Sequence, residues 1–186
     1  MLWLGIYFPR LPLEIFSCGA ATETALAVSG HQGGRERIDR CNAAASALGI
    51  HPGMPLAAAL SLHAGLEVRA RDRRREQQAL QGLAVWAYQY SSRISFEPLL
   101  LLLEVGASRR LFGGLSALLE TVEEQLSGLG YQGQWAAAPT PAAAGLLARL
   151  KPGSRVSSRD ALKRRILHLP LTGLTRDPAA RALIQR

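Results

Sequence analysis

Ser91-Ser92-Arg93-Ile94-Ser95-Phe96-Glu97-Pro98, then five leucines at 99–103, then Glu104-Val105-Gly106-Ala107-Ser108-Arg109-Arg110-Leu111-Phe112-Gly113-Gly114, is the stretch on which the fold turns. Two apolar-rich segments flank a proline, and proline sits at turns and strand edges because it lacks a backbone N–H. The pattern predicts a hairpin over residues 94–105. The leucine run has no alternation, so periodicity fits either a central strand buried on both faces or an edge that pairs with a partner. Burial is the expectation, because an exposed apolar edge of that length invites aggregation.

Outward from the hairpin, residues 2–8 read as an apolar strand stopped by Pro9 and Pro12, followed by a loop and a helix. Residues 25–28 read as a second strand closing at the turn Ser29-Gly30-His31-Gln32-Gly33-Gly34. Residues 37–48 are expected to form an Ala-rich helix ended by Gly49, and residues 55–63 a second helix with Pro55 in its first turn. A brief strand follows at 67–70, then a long amphipathic helix at 73–90 with Leu80, Leu83, Ala84, Ala87 and Tyr88 turned inward. After the hairpin come a helix at 115–126, ended by Gly128 and Gly130, a strand at 132–138 and a helix from Pro141 to about residue 150. This alternation is an α/β or α+β layout without internal repeats or a low-complexity linker.

At 186 residues with a hydrophobic fraction of 48% and mean hydropathy +0.05, the chain is globular rather than disordered. No apolar run approaches the roughly 18 to 20 residues needed to span a bilayer. Met1-Leu2-Trp3-Leu4-Gly5-Ile6-Tyr7 has no basic residue ahead of it, which makes a poor signal peptide and points to the first core strand of a cytoplasmic protein. Cys18 and Cys41 lack metal-ligand spacing and are read as plain thiols.

The net charge of +8 is not spread evenly. Residues 1–70 hold five Arg against five acids and residues 71–148 seven Arg against seven acids, so both sum to zero. Residues 149–186 hold ten Arg/Lys against Asp160 and Asp177, which accounts for the whole excess. Such one-sided charge is the footprint expected beside a phosphate backbone, with Arg149, Lys151, Arg155, Lys163, Arg164 and Arg165 as candidate DNA contacts. The competing reading is a solvated helix face, since Ala161, Leu162, Ile166, Leu167 and Leu169 interleave with the cations at helical spacing. For Arg71-Asp72-Arg73-Arg74-Arg75-Glu76, half neutralised and opening a helix, the solvated face is favoured.

The hairpin resembles the palm hairpin of the Y-family (DinB/UmuC-type) translesion DNA polymerases, with its catalytic carboxylates missing. That family carries Ser-x-Asp-Glu-Ala-x-x-Asp, whose acids hold two Mg²⁺ ions. Counting back from Glu104, the match to the last acid, puts Leu99 and Leu100 at the Asp-Glu pair. Leucine cannot coordinate a hard cation, which needs oxygen ligands. In the first strand the family pattern Val-Asp-x-Asp-x-Phe-Phe matches Leu4-Gly5-Ile6-Tyr7-Phe8-Pro9-Arg10, a stretch that holds no acid, and Ile6 is taken as the vacant position there. The string Asn42-Ala43-Ala44-Ala45-Ser46-Ala47-Leu48-Gly49-Ile50-His51-Pro52-Gly53-Met54-Pro55 is similar to the fingers signature Tyr-x-Ala-Arg-x-x-Gly-Ile-x-x-Gly-Met. The family's Tyr falls on Ala43 and its triphosphate-clamping Arg on Ser46, which lacks a charged fork. The lysines of Asn-Lys-x-x-Ala-Lys fall on Pro141 and Gly145.

The resemblance therefore implies a polymerase palm (1–28 and 73–166) with a small fingers insertion (29–72) and the start of a thumb (167–186). It implies no catalytic residue, no bound metal and no cofactor, because acids, clamp and lysines are vacant together. Glu97 and Glu104 read as strand-end carboxylates, with a remnant cation site as the alternative. Vacant members of the family suggest an adaptor in a damage-induced translesion complex. The implied partners are an error-prone replicative-type polymerase, a RecA-like accessory protein and, through regions outside this chain, the sliding clamp. The implied location is cytoplasmic and nucleoid-associated, with no membrane partner. Two alternatives stay open: an active polymerase with different metal ligands, and a simple DNA-binding module.

Overall fold

The computed structural model describes residues 1–17 and 24–167. In chain order the elements are β1 (Trp3–Tyr7), α1 (Leu11–Ser17), β2 (Leu26–Gln32), β3 (Arg35–Cys41), α2 (Ala43–Ala47), α3 (Leu56–Leu62), β4 (Glu67–Ala70), α4 (Arg73–Ala87), β5 (Ile94–Glu97), β6 (Leu100–Glu104), α5 (Leu115–Gly128), β7 (Gln134–Ala138), α6 (Pro141–Leu150) and α7 (Arg159–Ile166). They divide into two compact units: residues 1–8, 80–122 and from 133 onward, and residues 9–79 with 123–132. The class is α+β.

The first unit is built on an antiparallel sheet of order β5-β6-β1-β7. The leucine run forms β6, an inner strand between β5 and β1, and Leu100 to Leu103 are all buried. Leu99 lies in the hairpin turn with φ +62, a left-handed conformation that L-residues other than Asn and Asp rarely adopt. Its carbonyl accepts the Phe8 N–H at 2.8 Å, which ties the turn to the end of β1.

One face of this sheet packs on α6. Leu100 and Leu102, Ala136 and Ala138, with Trp3 and Tyr7 beside them, meet Ala143, Ala144, Leu147 and Ala148. Thr140 caps α6 by accepting the Ala143 N–H, and Pro141 occupies the first turn, where no N–H is needed. The approach is close enough to require glycine on both sides. A Cβ on Gly5 would lie 2.7 Å from the Ala144 carbonyl, and one on Gly145 would lie 2.7 Å from Leu100 Cδ2. The opposite sheet face carries Leu4, Ile6, Leu101, Leu103 and Ala137, all buried.

Helix α4 stops at Ala87, short of the expected residue 90, and this decides which tyrosine is inside. Tyr88 is exposed, contrary to expectation. Tyr90 is buried, with its ring 5.2 Å edge-on to Trp86 and 5.4 Å from Phe112.

The second unit holds a three-stranded sheet of order β3-β2-β4. Strand β3 was not expected, since residues 37–48 read as helix. Its sequence Arg35-Glu36-Arg37-Ile38-Asp39-Arg40-Cys41 buries only Ile38, so no apolar period marks it. The two-residue turn Gly33-Gly34, both with positive φ, sets the hairpin and imposes the strand on a polar segment. The helix is confined to α2, started by Asn42, whose Oδ1 accepts the Ala45 and Leu26 N–H groups at 2.9 and 3.1 Å. Strands β2 and β4 run parallel, and α2 and α3 lie in the crossover between them. Ala45, Ile50, Ala59 and Leu66 bury against Ala27 and Ile38, with partly buried Met54 packed against them.

The basic run opening α4 is not a uniformly solvated face. Arg71 donates from Nε and Nη2 to both carboxylate oxygens of buried Glu76 at 2.7 and 2.9 Å, and from Nη1 to Asp39 at 2.8 Å. The Glu76 hydrogen bond, opposed by burial, raises the Arg71 pKa. Arg75 donates to the Ile15 carbonyl and lies 4.9 Å over the Phe16 ring.

Candidate functional site

Residues that share a sheet face alternate along a strand, and strand register decides which vacant positions meet. Tyr7 pairs with Leu100, and Ile6 with Leu101. Ile6 and Leu100 therefore lie on opposite faces. Ile6 was expected in one cleft with Leu100; counted residue by residue the pattern's acids fall on Gly5 and Tyr7, and the register sets Tyr7 beside Leu100. Leu99 sits in the turn. The α6 side of the sheet is thus lined by Tyr7, Leu100 and Gly145, none of which carries a carboxylate.

At the hairpin end of this side stand two charged groups, Arg149 and Glu97. Arg149 lies 5.3 Å over the Tyr7 ring, and its Nη2 is 3.9 Å from Glu97 Oε2. It stands four residues after Gly145 on α6, one helical turn further along the same face. The sequence reading made Arg149 a phosphate contact. The structure draws it, half-buried, to the sheet end where the hairpin turns. That i, i+4 spacing from Gly145 was the available signal.

Two Mg²⁺ ions need several oxygen ligands at close to octahedral geometry. Leu99, Leu100 and Ile6 supply none, and a guanidinium beside Tyr7 adds a positive charge where a cation would bind. Among the described residues no cluster of three His, Cys, Asp or Glu side chains is placed to hold a metal ion. The residues present do not fit the two-metal site. Glu104 has a structural role: its Oε1 accepts the Leu2 and Gly106 N–H groups at 3.3 and 3.1 Å. Pro141 and Gly145 are taken up by α6 itself. Ala43 and Ser46 lie on the exposed side of α2, in the second unit.

Lys151, Arg155, Lys163, Arg164 and Arg165 are exposed. Arg155 lies 5.3 Å over the Trp135 ring and donates to Ser116 Oγ at 2.8 Å. Arg165 Nη2 reaches Ser154 Oγ at 3.4 Å, which brings it beside Arg155 in the chain. Lys163, Arg164 and Arg165 form the last turn of α7, where cations complement the helix dipole. Of the apolar residues interleaved with them, Leu162 is buried and Leu167 exposed, while Leu169 lies outside the described residues. The expected thumb start falls almost wholly outside them as well, as does Cys18. Cys41 is a free, half-buried thiol whose pKa burial raises.

A cavity of about 320 Å³ in the second unit was not legible in the sequence. It is lined by Arg10, Glu14, Cys41, Asn42, Tyr131 and Gln132 among others. Glu14 is buried; its Oε1 accepts the Gln132 N–H at 3.0 Å, and its Oε2 has no hydrogen-bond partner. Burial raises its carboxyl to about 7, against the lowering effects of that N–H and of Arg10.

The impB/mucB/samB family model matches residues 20–149, and the chain belongs to this family, the Y-family of DNA polymerases and their relatives. Protein ImuB of Caulobacter vibrioides, in two strains, is 29% identical over 140 residues, covering 75% of this chain and 31% of the relative. The chain thus spans about a third of the length of the curated relatives it matches. Among solved structures, a post-insertion binary complex of Dbh DNA polymerase superimposes with a TM-score of 0.73 at 15% identity, over 100% of this chain and 57% of that one. DinB from Sulfolobus solfataricus gives 0.61 at 16%, over 86% and 49%. At such identities these likenesses show the fold alone. No helix among the described residues is long and apolar enough to cross a membrane.

Proposed function

We propose that this domain is a catalytically vacant Y-family palm with a fingers insertion, working as an adaptor in damage-induced translesion synthesis. The supporting observation is the α6 side of the sheet, where Tyr7, Leu100, Gly145 and Arg149 stand in place of a carboxylate set. Phosphoryl transfer depends on metals and positioned charge, and each tenfold loss corresponds to about 1.4 kcal/mol of barrier. Losing all ligands together removes many such steps. In this reading the palm comprises residues 1–28 and 73–166, the fingers 29–72, and residues 167–186 begin the thumb. The partners are an error-prone replicative-type polymerase and a RecA-like accessory protein, with the sliding clamp reached through regions outside this chain, in the cytoplasm and near the nucleoid. Primer extension with Mg²⁺ or Mn²⁺ tests it: no incorporation is expected, and templated incorporation overturns the reading.

DNA contact is the secondary role, supported by the exposed Lys151, Arg155, Lys163, Arg164 and Arg165. Arg149 is left out, being held against Tyr7 and Glu97. Binding to duplex should weaken steeply with salt, with a log–log slope of several units, and the slope should fall by about two to three on replacing 163–165 by Ala. Salt-independent binding would favour a role confined to protein partners.

A further inference from the structure

The two outer edges of the β5-β6-β1-β7 sheet are not alike. Beyond β7 the segment 153–156 closes the edge: Gly153 and Val156 donate to the Trp135 and Ala137 carbonyls at 2.7 and 2.8 Å, and Ala137 donates to Ser154 at 2.8 Å. Beyond β5 no strand pairs among the described residues, and Ser95 and Phe96 are exposed. The Glu104 N–H bonds to the Arg93 carbonyl at 3.0 Å, which fixes the phase of the ladder. Arg93, Ser95 and Glu97 turn their backbone groups to β6, and Ile94 and Phe96 turn theirs outward. An edge in this state, with neither Lys nor Pro between Ile94 and Glu97, is a template for a further strand.

Phase and charge together identify that strand. An antiparallel copy of β5 has to set outward-turned residues against outward-turned residues, so the two-fold axis falls at Ile94, Ser95 or Phe96. With the axis at Phe96, Ile94 faces Pro98, which has no N–H to give. With the axis at Ile94, Arg93 faces Ser95 and Glu97 faces Ser91, so neither charge meets its opposite. With the axis at Ser95, Ile94 and Phe96 of one copy exchange both backbone bonds with Phe96 and Ile94 of the other. Arg93 then stands opposite Glu97 at both ends, in the closely spaced pairs where side chains meet best. Arg93 is exposed, and the Glu97 side chain is 39% exposed beside Arg149, so both can reach across. On the other sheet face the same register lays Ile94 against the exposed Phe96 ring. We propose that β5 pairs with β5 of a second copy about Ser95, joining two four-stranded sheets edge to edge.

Sedimentation velocity on the 186-residue chain tests this, with variants whose folding is checked by far-UV circular dichroism. Arg93→Glu and Glu97→Arg each set like charges opposite one another, and the double swap Arg93→Glu/Glu97→Arg restores the match. Phe96→Pro removes an outward N–H and leaves the ladder to β6 intact. The expected result is a dimer at about 200 µM, weakened about tenfold or more by either single swap, recovered by the double swap and lost with Phe96→Pro. Amide hydrogen exchange should slow at Ile94 and Phe96 as the concentration rises. A wild-type chain that stays monomeric at that concentration overturns the proposal and leaves the edge to a different partner. A dimer indifferent to Phe96→Pro, or one in which the double swap is no tighter than the single swaps, overturns it as well. Primer extension bears separately on the adaptor reading, and neither outcome decides the other.

Discussion

Replacing Glu14 by Gln should stabilise the protein at neutral and alkaline pH. The carboxyl is buried, with Oε1 on the Gln132 N–H and Oε2 unpartnered, and burial lifts it from 4.5 to about 7. A raised acid binds its proton more tightly in the folded state, so the linked stability is greatest below 4.5. It falls as the pH rises from 4.5 to about 7, and is flat above that. At roughly 1.4 kcal/mol per pH unit the rise corresponds to about 3 kcal/mol, the cost of ionising Glu14 in place. Glutamine keeps the shape and an oxygen for the Gln132 N–H, and it does not ionise. Urea unfolding of both proteins at pH 5, 6, 7 and 8 should show nearly equal stability at the acid end. The variant's advantage should grow to about 2–3 kcal/mol by pH 8. A constant difference, or a variant less stable at pH 8, would show that burial does not hold this carboxyl protonated in the folded state.

Three further outcomes follow from the packing. Gly145→Ala sets a Cβ 2.7 Å from Leu100 Cδ2, and thermal denaturation should report a loss of about 1–3 kcal/mol, since the leucine can shift. Gly5→Ala sets its Cβ 2.7 Å from the Ala144 backbone, which cannot move without displacing α6; the same assay should show the larger loss of the two. Glu76→Ala leaves Arg71, mostly buried, with Asp39 alone, and chemical denaturation should show about 3 kcal/mol lost, with Glu76→Gln intermediate.

The parts of the fold legible in the sequence are those where burial imposes a period or a run. The helices α4, α5 and α6 were visible because their apolar residues repeat at helical spacing, strand β6 because its leucines run unbroken, and the turns because of their Gly and Pro. Strand β3 was not, because with Ile38 alone buried it carries no period, and the instruction lies in Gly33-Gly34. Tyr88 was expected inside and is exposed because α4 ends at Ala87, one residue before it, so that Tyr90 turns inward instead. Arg71, Arg149 and Glu14 were misread or missed for a different reason. Their partners Asp39, Tyr7 and Gln132 are far along the chain, so composition near them could not show whether a charge meets solvent, a ring or a buried amide. Ile6 was misplaced for a simpler reason, since the first-strand pattern counted residue by residue sets its acids on Gly5 and Tyr7.

On the proposed reading, the α6 side of the β5-β6-β1-β7 sheet offers no seat for divalent cations. Paramagnetic broadening of backbone amides by Mn²⁺ with a deoxynucleoside triphosphate and primer–template DNA tests it most directly. No saturable broadening is expected at Tyr7, Phe8, Leu99 or Leu100. Saturable loss of those four signals, reversed by excess Mg²⁺, would contradict it.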